Sequence, residues 1–440
     1  MDTAAILVIA AAIFAWGSVS ARLERADLSA PIVFVAVGAV LAAAELVDAA
    51  TAPETLQPLV EITLVWVLFS DAARVRVQDL RADAGRYVRL LAVGLPLTVL
   101  AGWGLAAWLF PALGLWLALL VGAALAPTDA ALGVPVVTNP AVPSRVRRLI
   151  NVESGLNDGI ATPVVMVALA GAASAEGLAD APGVAEALLE LAIGASVGLV
   201  VGGGGGWLLH RARARRWVAE DFAGIAVLGL ALAAYTASLV AHGNGFVAAF
   251  CGGLAFGATA GRRGPDELAF TEQAGSAVSL LVWLAFGAIA VPIMLDRASW
   301  TVLLYAALSL TVVRMVPVAL ALLGAGLDRA AVLFIGWFGP RGLASLLFAL
   351  LALEQLDSAA DEAVAIIAVT VLLSVLAHGI SAAPLAARYG RAAAAHGPEP
   401  GGPVPDLPGR GLPRRRHPAL VGAARPAADP GPPEPRAEHR

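Results

Sequence analysis

The sequence predicts an all-α polytopic membrane protein of about thirteen transmembrane helices, and three observations predict it. Of its 440 residues, 59% are hydrophobic and only 14% charged, too little charge to cover a soluble domain of this length. Apolar stretches of roughly 20 residues recur along the chain, each long enough to cross a hydrocarbon core of about 30 Å. The short alternating segments that build a membrane barrel are missing from the pattern. In lipid a backbone must satisfy its own polar groups, so the stretches have to be helices.

In order, the stretches lie near 4–21, 30–47, 56–72, 88–109, 113–138, 146–171, 184–209, 221–241, 245–260, 269–292, 300–323, 330–351 and 362–387. No basic residue precedes the first, whereas Arg22 and Arg25 follow it. That polarity suits an anchor with its N-terminus outside rather than a cleaved signal peptide. The basic residues are all arginine, and they fall in alternate loops. Arg74, Arg76, Arg81, Arg86 and Arg89 form one group, Arg145, Arg147 and Arg148 the next, and Arg211–Arg216, Arg262/Arg263, Arg329 and Arg388 continue the series. The intervening loops carry Asp48 and Glu54, Glu176 and Asp180, a His242 turn, and Glu354–Glu362, with Arg297 the one exception. This alternation puts the C-terminus in the cytoplasm.

Residues 1–390 are expected to form one transmembrane domain. From 391 to 440 the composition shifts to Pro, Gly, Ala and Arg without periodicity, which predicts a disordered cytoplasmic tail. The glycine run at 202–206 suits close helix packing. The single cysteine, Cys251, excludes a disulfide within the chain and a cysteine-based metal site, and reads as a small buried hydrophobe.

Polar groups inside spans are costly and mark function by default. Asp71 closes the third span beside Arg74. The fifth span contains ALAPTDAALG, where Pro127 removes a backbone donor and Thr128 and Asp129 follow at once. A helix broken near the midplane frees carbonyl oxygens and exposes two ends of opposite partial charge. The sixth span carries NVESGLNDGIATP. Glu153 and Asn157 are four apart on one face, and Ser154 and Asp158 share the next. Asp158, Ser154 and Thr128 could ligate a hard monovalent cation such as Na⁺. A carboxylate neutralised by a proton no longer attracts a cation, and that competition is itself an exchange mechanism. The twelfth span has GWFGPRGLASLLFAL, with Arg341 at a second Gly/Pro break. An arginine there requires an acid, and Glu153 is the expected partner. Arg314, in the eleventh span, is expected to pack or to bond carbonyls away from the ion.

The two broken spans are the fifth and the twelfth, seven apart. Spans one to six and eight to thirteen then form inverted six-helix halves around a linking helix, with the broken helices crossing at the substrate site.

The PTD break at Pro127–Asp129, the ESGLNDG run at Glu153–Gly159 and the GPRG break at Gly339–Gly342, in this order and spacing, resemble the monovalent cation:proton antiporter family, in its sodium/proton exchanger branch with an Asn-Asp motif. The resemblance covers roughly residues 4–388. It implies that Asp158 carries cation and proton in turn beside Asn157, with Ser154 and Thr128 as further ligands and Glu153 paired with Arg341. It aligns Asp71 with an acidic ligand position that relatives often fill with glutamate. It also implies electroneutral exchange, a homodimer, a part in pH homeostasis, and a place in a plasma membrane, here a bacterial one. The expected reading is exchange of Na⁺ or Li⁺ for H⁺, with K⁺/H⁺ antiport as the alternative and a cation channel less favoured. No cofactor and no nucleic-acid partner are expected. An intramembrane enzyme would need a Ser/His, paired-Asp or HExxH arrangement, whereas His242 and His378 lie near span ends as packing or interfacial residues.

Overall fold

The computed structural model describes residues 3–23, 29–46, 52–75, 83–129, 132–177, 183–261 and 264–395. The predicted tail from 396 onward, and the loop residues Arg25, Asp48, Arg76, Arg81, Asp180, Arg262 and Arg263, lie outside these. Among the described residues the regular structure is helical throughout, without a strand.

The first helices are α1 (Thr3–Leu23), α2 (Ala30–Ala43), α3 (Ala52–Arg74) and α4 (Ala84–Leu109), the last carrying a π-helical turn at Leu90–Gly94. The fifth stretch is divided into α5 (Gly114–Ala124) and the short α6 (Val134–Val137). Then come α7 (Ser144–Ala175), α8 (Val184–Ala214), α9 (Glu220–Val240), α10 (Gly245–Thr259) and α11 (Gly264–Asp296). The eleventh stretch is also interrupted, at Thr311, between α12 (Trp300–Leu310) and α13 (Val312–Ala321). The twelfth is divided into α14 (Arg329–Trp337) and α15 (Leu343–Leu356), and α16 (Asp361–Ala395) ends the described chain. Among the described residues, seven helical stretches are long and apolar enough to cross a membrane, and Ile6–Ser20, Ala30–Ala43, Pro111–Ala124 and Gly245–Thr259 are shorter apolar helices.

Packing follows residue size. Gly194, Gly198 and Gly202 of α8 lie against the main-chain carbonyls of Asn244, the N-cap of α10, and of Ala248 and Gly252 within it, so closely that an added Cβ would overlap them. Within the run at 202–206, Gly202 and Gly206 make this approach to the α10 backbone, the close packing that its composition predicts, where dispersion must drive association. The opposite side of α8 exposes Leu199, Val200, Trp207 and Leu208, as a lipid-facing surface should. Gly253 and Gly257 of α10 meet the carbonyls of Phe69 and Ala73 in α3. Gly159 of α7 lies against the ring of Phe250, and Gly171 against Trp116. These contacts lock α7 among α3, α5 and α10, so its polar residues are buried along most of its length. Cys251 is half-buried and unbridged.

Candidate functional site

The two interrupted helices meet, and each supplies what the other lacks. Past Ala124 the chain leaves helical geometry, and Pro127 offers no N–H. The freed carbonyls of Ala126 and Pro127 accept from Arg341 Nη1 at 2.8 and 3.1 Å. Ser345 Oγ donates to the Ala124 carbonyl at 2.6 Å. In return, the Asp129 N–H donates to the Pro340 carbonyl at 2.7 Å. Asp129 Oδ2 accepts from the Leu343 N–H at 3.0 Å, capping α15 where the helix dipole is positive. A side chain at Gly342 would occupy the space of the Asp129 carboxylate, and one at Gly339 would strike Arg314 and Thr128. Asp129 is therefore no stray charge in lipid: it closes one break against the other.

The last helix completes the second break. The Arg341 N–H donates to Ser374 Oγ at 2.7 Å, and Trp337 Nε1 donates to Ser381 Oγ at 2.9 Å. His378 Nε2 lies 2.8 Å from the Trp337 carbonyl. Ser374, His378 and Ser381 sit on one face of α16, spaced as helical neighbours.

Against this crossing α7 presents its polar run. Ser154 Oγ is 2.8 Å from Thr128 Oγ1, and Asn157 Nδ2 donates to the same Thr128 oxygen at 2.7 Å. All three side chains are buried. Asn157 Oδ1 is buried with no hydrogen-bond partner among the described residues, an open acceptor next to two hydroxyls. Asp158 is buried at 6% exposure and Asp71 at 7%. The Asp71 carbonyl lies 3.7 Å from where a Cβ would stand on Gly155, and Gly155 shares a helix face with Asp158. The structure thus gathers Thr128, Ser154 and Asn157 into one hydrogen-bonded group, with Asp158 on the following residue and the Asp71 backbone alongside.

One expected pairing is corrected. Glu153 Oε1 contacts Arg314 Nη1 at 2.6 Å, with both side chains within 2% of full burial; Arg341 is not its ion-pair partner. The contact is close but not in line, so it is an ion pair rather than a hydrogen bond. Arg341 feels the Glu153 charge at longer range, but it is Nη1 of its guanidinium, donating to the carbonyls that the PTD break exposes, that anchors it. Arg314 is aimed inward by the interruption at Thr311 (φ −108°, ψ −86°). There Thr311 Oγ1 bonds back to the Ala307 carbonyl at 2.7 Å, a contact that bends helices, and Pro317 removes a donor one turn on. Arg314, expected away from the ion site, holds the acid next to Ser154. His378, read as a packing or interfacial residue, is 3% exposed, so it packs inside the protein, and it is also bonded into the break. Its spacing from Ser374 and Ser381 in a span otherwise rich in Ala, Val and Leu was the available signal.

Buried carboxylates and an open amide oxygen lie where two interrupted helices meet, the arrangement that broken-helix membrane proteins place at the bilayer midplane. The family model described as sodium/hydrogen exchanger, transmembrane, matches residues 8–388, and the chain belongs to that family. It is 31% identical over 199 residues to a K(+)/H(+) antiporter NhaP2 from Shewanella sp. (strain MR-4), a match covering 44% of this chain and 33% of that one. The corresponding protein of Shewanella oneidensis is 30% identical over 197 residues, with the same shares. The chain thus aligns with about a third of the length of these relatives. Its fold is similar to that of the sodium proton antiporter MjNhaP1 from Methanocaldococcus jannaschii at pH 8, with a TM-score of 0.70 and 21% identity over 88% of this chain and 98% of that one. An electron-microscopy structure of the same antiporter gives a TM-score of 0.71.

Proposed function

We propose that the protein is a secondary antiporter that exchanges a monovalent cation for a proton at Asp158. The observation that carries this reading is the buried group Thr128–Ser154–Asn157 beside Asp158, with the open acceptor Asn157 Oδ1. A dehydrated cation needs several oxygens and one compensating negative charge. Thr128, Ser154 and Asn157 offer the oxygens, and Asp158 the charge. Asp71, from α3, is a further candidate ligand. Protonation of Asp158 removes the charge, so cation and proton take turns and exchange proceeds one for one. Glu153 is held by Arg314 and does not turn over.

Na⁺ or Li⁺ is the proposed cation and K⁺ the alternative, since one relative is named a K(+)/H(+) antiporter and the structural neighbour a sodium proton antiporter. The remaining parts of the reading are proposals of the same kind. They are thirteen crossings in two inverted halves around α8, an outside N-terminus, a cytoplasmic tail, a plasma-membrane location and a homodimer. The test is dequenching of a pH-sensitive dye in inverted vesicles on adding Na⁺, Li⁺ or K⁺, for wild type, Asp158→Asn and Asp158→Ala. Proton movement with a cation preference in wild type, lost in both variants while they stay folded, is the expected result. Normal exchange by either variant would remove Asp158 from the mechanism.

A further inference from the structure

His378 is the one buried imidazole in the described membrane helices that bonds to main-chain atoms on another helix, and the function proposed above makes no use of it. Its surroundings are unusually specific. Nε2 is 2.8 Å from the Trp337 carbonyl, so that nitrogen must carry a proton and donate. Nδ1 is 2.8 Å from the Ser374 carbonyl and 3.1 Å from Ser374 Oγ. Two arrangements therefore compete at this ring position, the neutral one setting a bare Nδ1 against the Ser374 carbonyl oxygen. With a neutral ring, Nδ1 accepts from the Ser374 hydroxyl. One chain then runs from the Arg341 N–H to Ser374 Oγ, from its proton to Nδ1, and from Nε2–H to the Trp337 carbonyl. That chain ties together both ends of the break, residues 337 and 341. With a protonated ring, Nδ1–H donates to the Ser374 carbonyl instead. The hydroxyl proton then has no ring nitrogen to bond, and the chain is cut between Ser374 and His378. Among the described residues, the charged groups acting on the ring are Arg341 and Arg314; Trp337 and Phe338 supply its aromatic contacts.

We propose that His378 is a positioning residue whose proton state sets how firmly the second helix break is closed, and so adds a proton-dependent limb to exchange separate from that of Asp158. The link to the site is short. The break carries Arg341, whose guanidinium holds the Ala126 and Pro127 carbonyls immediately before Thr128. His378 touches none of the proposed cation ligands, so its effect on them is through this main chain alone. The inference rests on the antiport reading for its transport consequence, and on geometry alone for its effect on the break.

Glutamine is the discriminating substitution. Its amide can donate to the Trp337 carbonyl and accept from Ser374, reproducing the neutral arrangement, yet it takes up no proton near neutral pH. His378→Gln is expected to exchange within about twofold of wild type at the alkaline end. The midpoint of its acid limb should move by at least about half a pH unit, since one ionising group is gone. Ser374→Ala cuts the chain in both states and should lower exchange at alkaline pH toward the acid-side level, with a flattened profile. Thermal melting of the purified full chain gives a second readout. The wild-type difference in Tm between about pH 5.5 and 8 should shrink in His378→Gln. Superimposable pH profiles and superimposable melting differences for wild type and His378→Gln would overturn the inference. A wild type that moves no cation at any pH would defeat the antiport reading, and the melting comparison would still decide this one.

Discussion

Two seams in this molecule solve the same problem by opposite means. Along the α8–α10 seam, Gly194, Gly198 and Gly202 bring two unbroken helices together backbone to backbone, without a charge at the contact. At the crossing of the fifth and twelfth spans the helices are broken, and side chains repair them: Arg341 and Ser345 on freed carbonyls, Asp129 on a freed N–H. The first seam leaves every helical hydrogen bond in place and gains only dispersion. The second gives up helical bonds and replaces several of them with partners from other helices. Only the second brings the hydroxyl of Thr128 against Ser154 and Asn157. The antiport reading therefore assigns the chemistry to the repaired region, and the glycine seam to the frame that holds it. Variants placed in each should separate these roles.

The largest effect is expected at the acid itself. Asp158→Asn keeps the volume and removes the charge, so cation-dependent proton movement should fall to background while the melting temperature stays near wild type. Retained transport with altered cation preference would shift the carrier role to another acid, Asp71 being the first candidate.

Next comes the ion pair beside it. Removing Arg314 leaves Glu153 as an unpaired buried charge, and Arg314→Ala should cost about 3–5 kcal/mol in unfolding free energy. The double variant with Glu153→Gln should recover much of that loss, because the orphaned charge goes with its partner. The same cycle with Arg341→Ala should be close to additive, since Arg341 Nη1 donates to Ala126 and Pro127 and the ion-pair contact of Glu153 is with Arg314. Strong coupling of Arg341 with Glu153, and none with Arg314, would restore the pairing expected from sequence.

That reversal marks the limit of what the sequence discloses. The two breaks were legible because Pro127, Gly339, Pro340 and Gly342 act locally: a missing N–H or a missing Cβ decides the backbone within a turn. Ser154, Asn157 and Asp158 were legible because helical spacing fixes their faces. The partner of Glu153 was not. Two arginines and several freed carbonyls compete for one acid, and the outcome depends on the bend at Thr311, which re-aims Arg314. Nothing in LTVVRMVPVAL announces a bend toward α7 rather than away from it. The bond of His378 to the break was hidden for a related reason: the Trp337 carbonyl is a main-chain atom of another helix, and main-chain atoms carry no sequence signature.

A smaller effect is expected in the frame. Gly202→Leu forces a side chain into the Gly252 backbone, and overpacking of this kind costs about 1–3 kcal/mol. The loss should appear in thermal melting and in yield, with the apparent cation affinity of the folded fraction unchanged. A changed affinity would mean that the α8–α10 seam moves during transport and is not frame alone.

The smallest effect is expected at Asp129, and it tests the comparison most directly. Its carboxylate accepts from the Leu343 N–H, and its own N–H holds Pro340 whatever the side chain. Asparagine can still cap α15, so Asp129→Asn should leave stability almost unchanged. Alanine cannot, and Asp129→Ala should lose about 1 kcal/mol, the usual worth of an N-cap. Gly342 sits too close to the carboxylate for a longer residue to substitute, so Asp129→Glu should be worse than alanine despite keeping the charge. If the order were instead Glu best and Asn worst, with exchange lost in Asn and melting unaltered, charge rather than capping would be what position 129 contributes. The acid would then belong with Asp158 in the path of the ion, and the crossing would be a conduit as well as a repaired backbone.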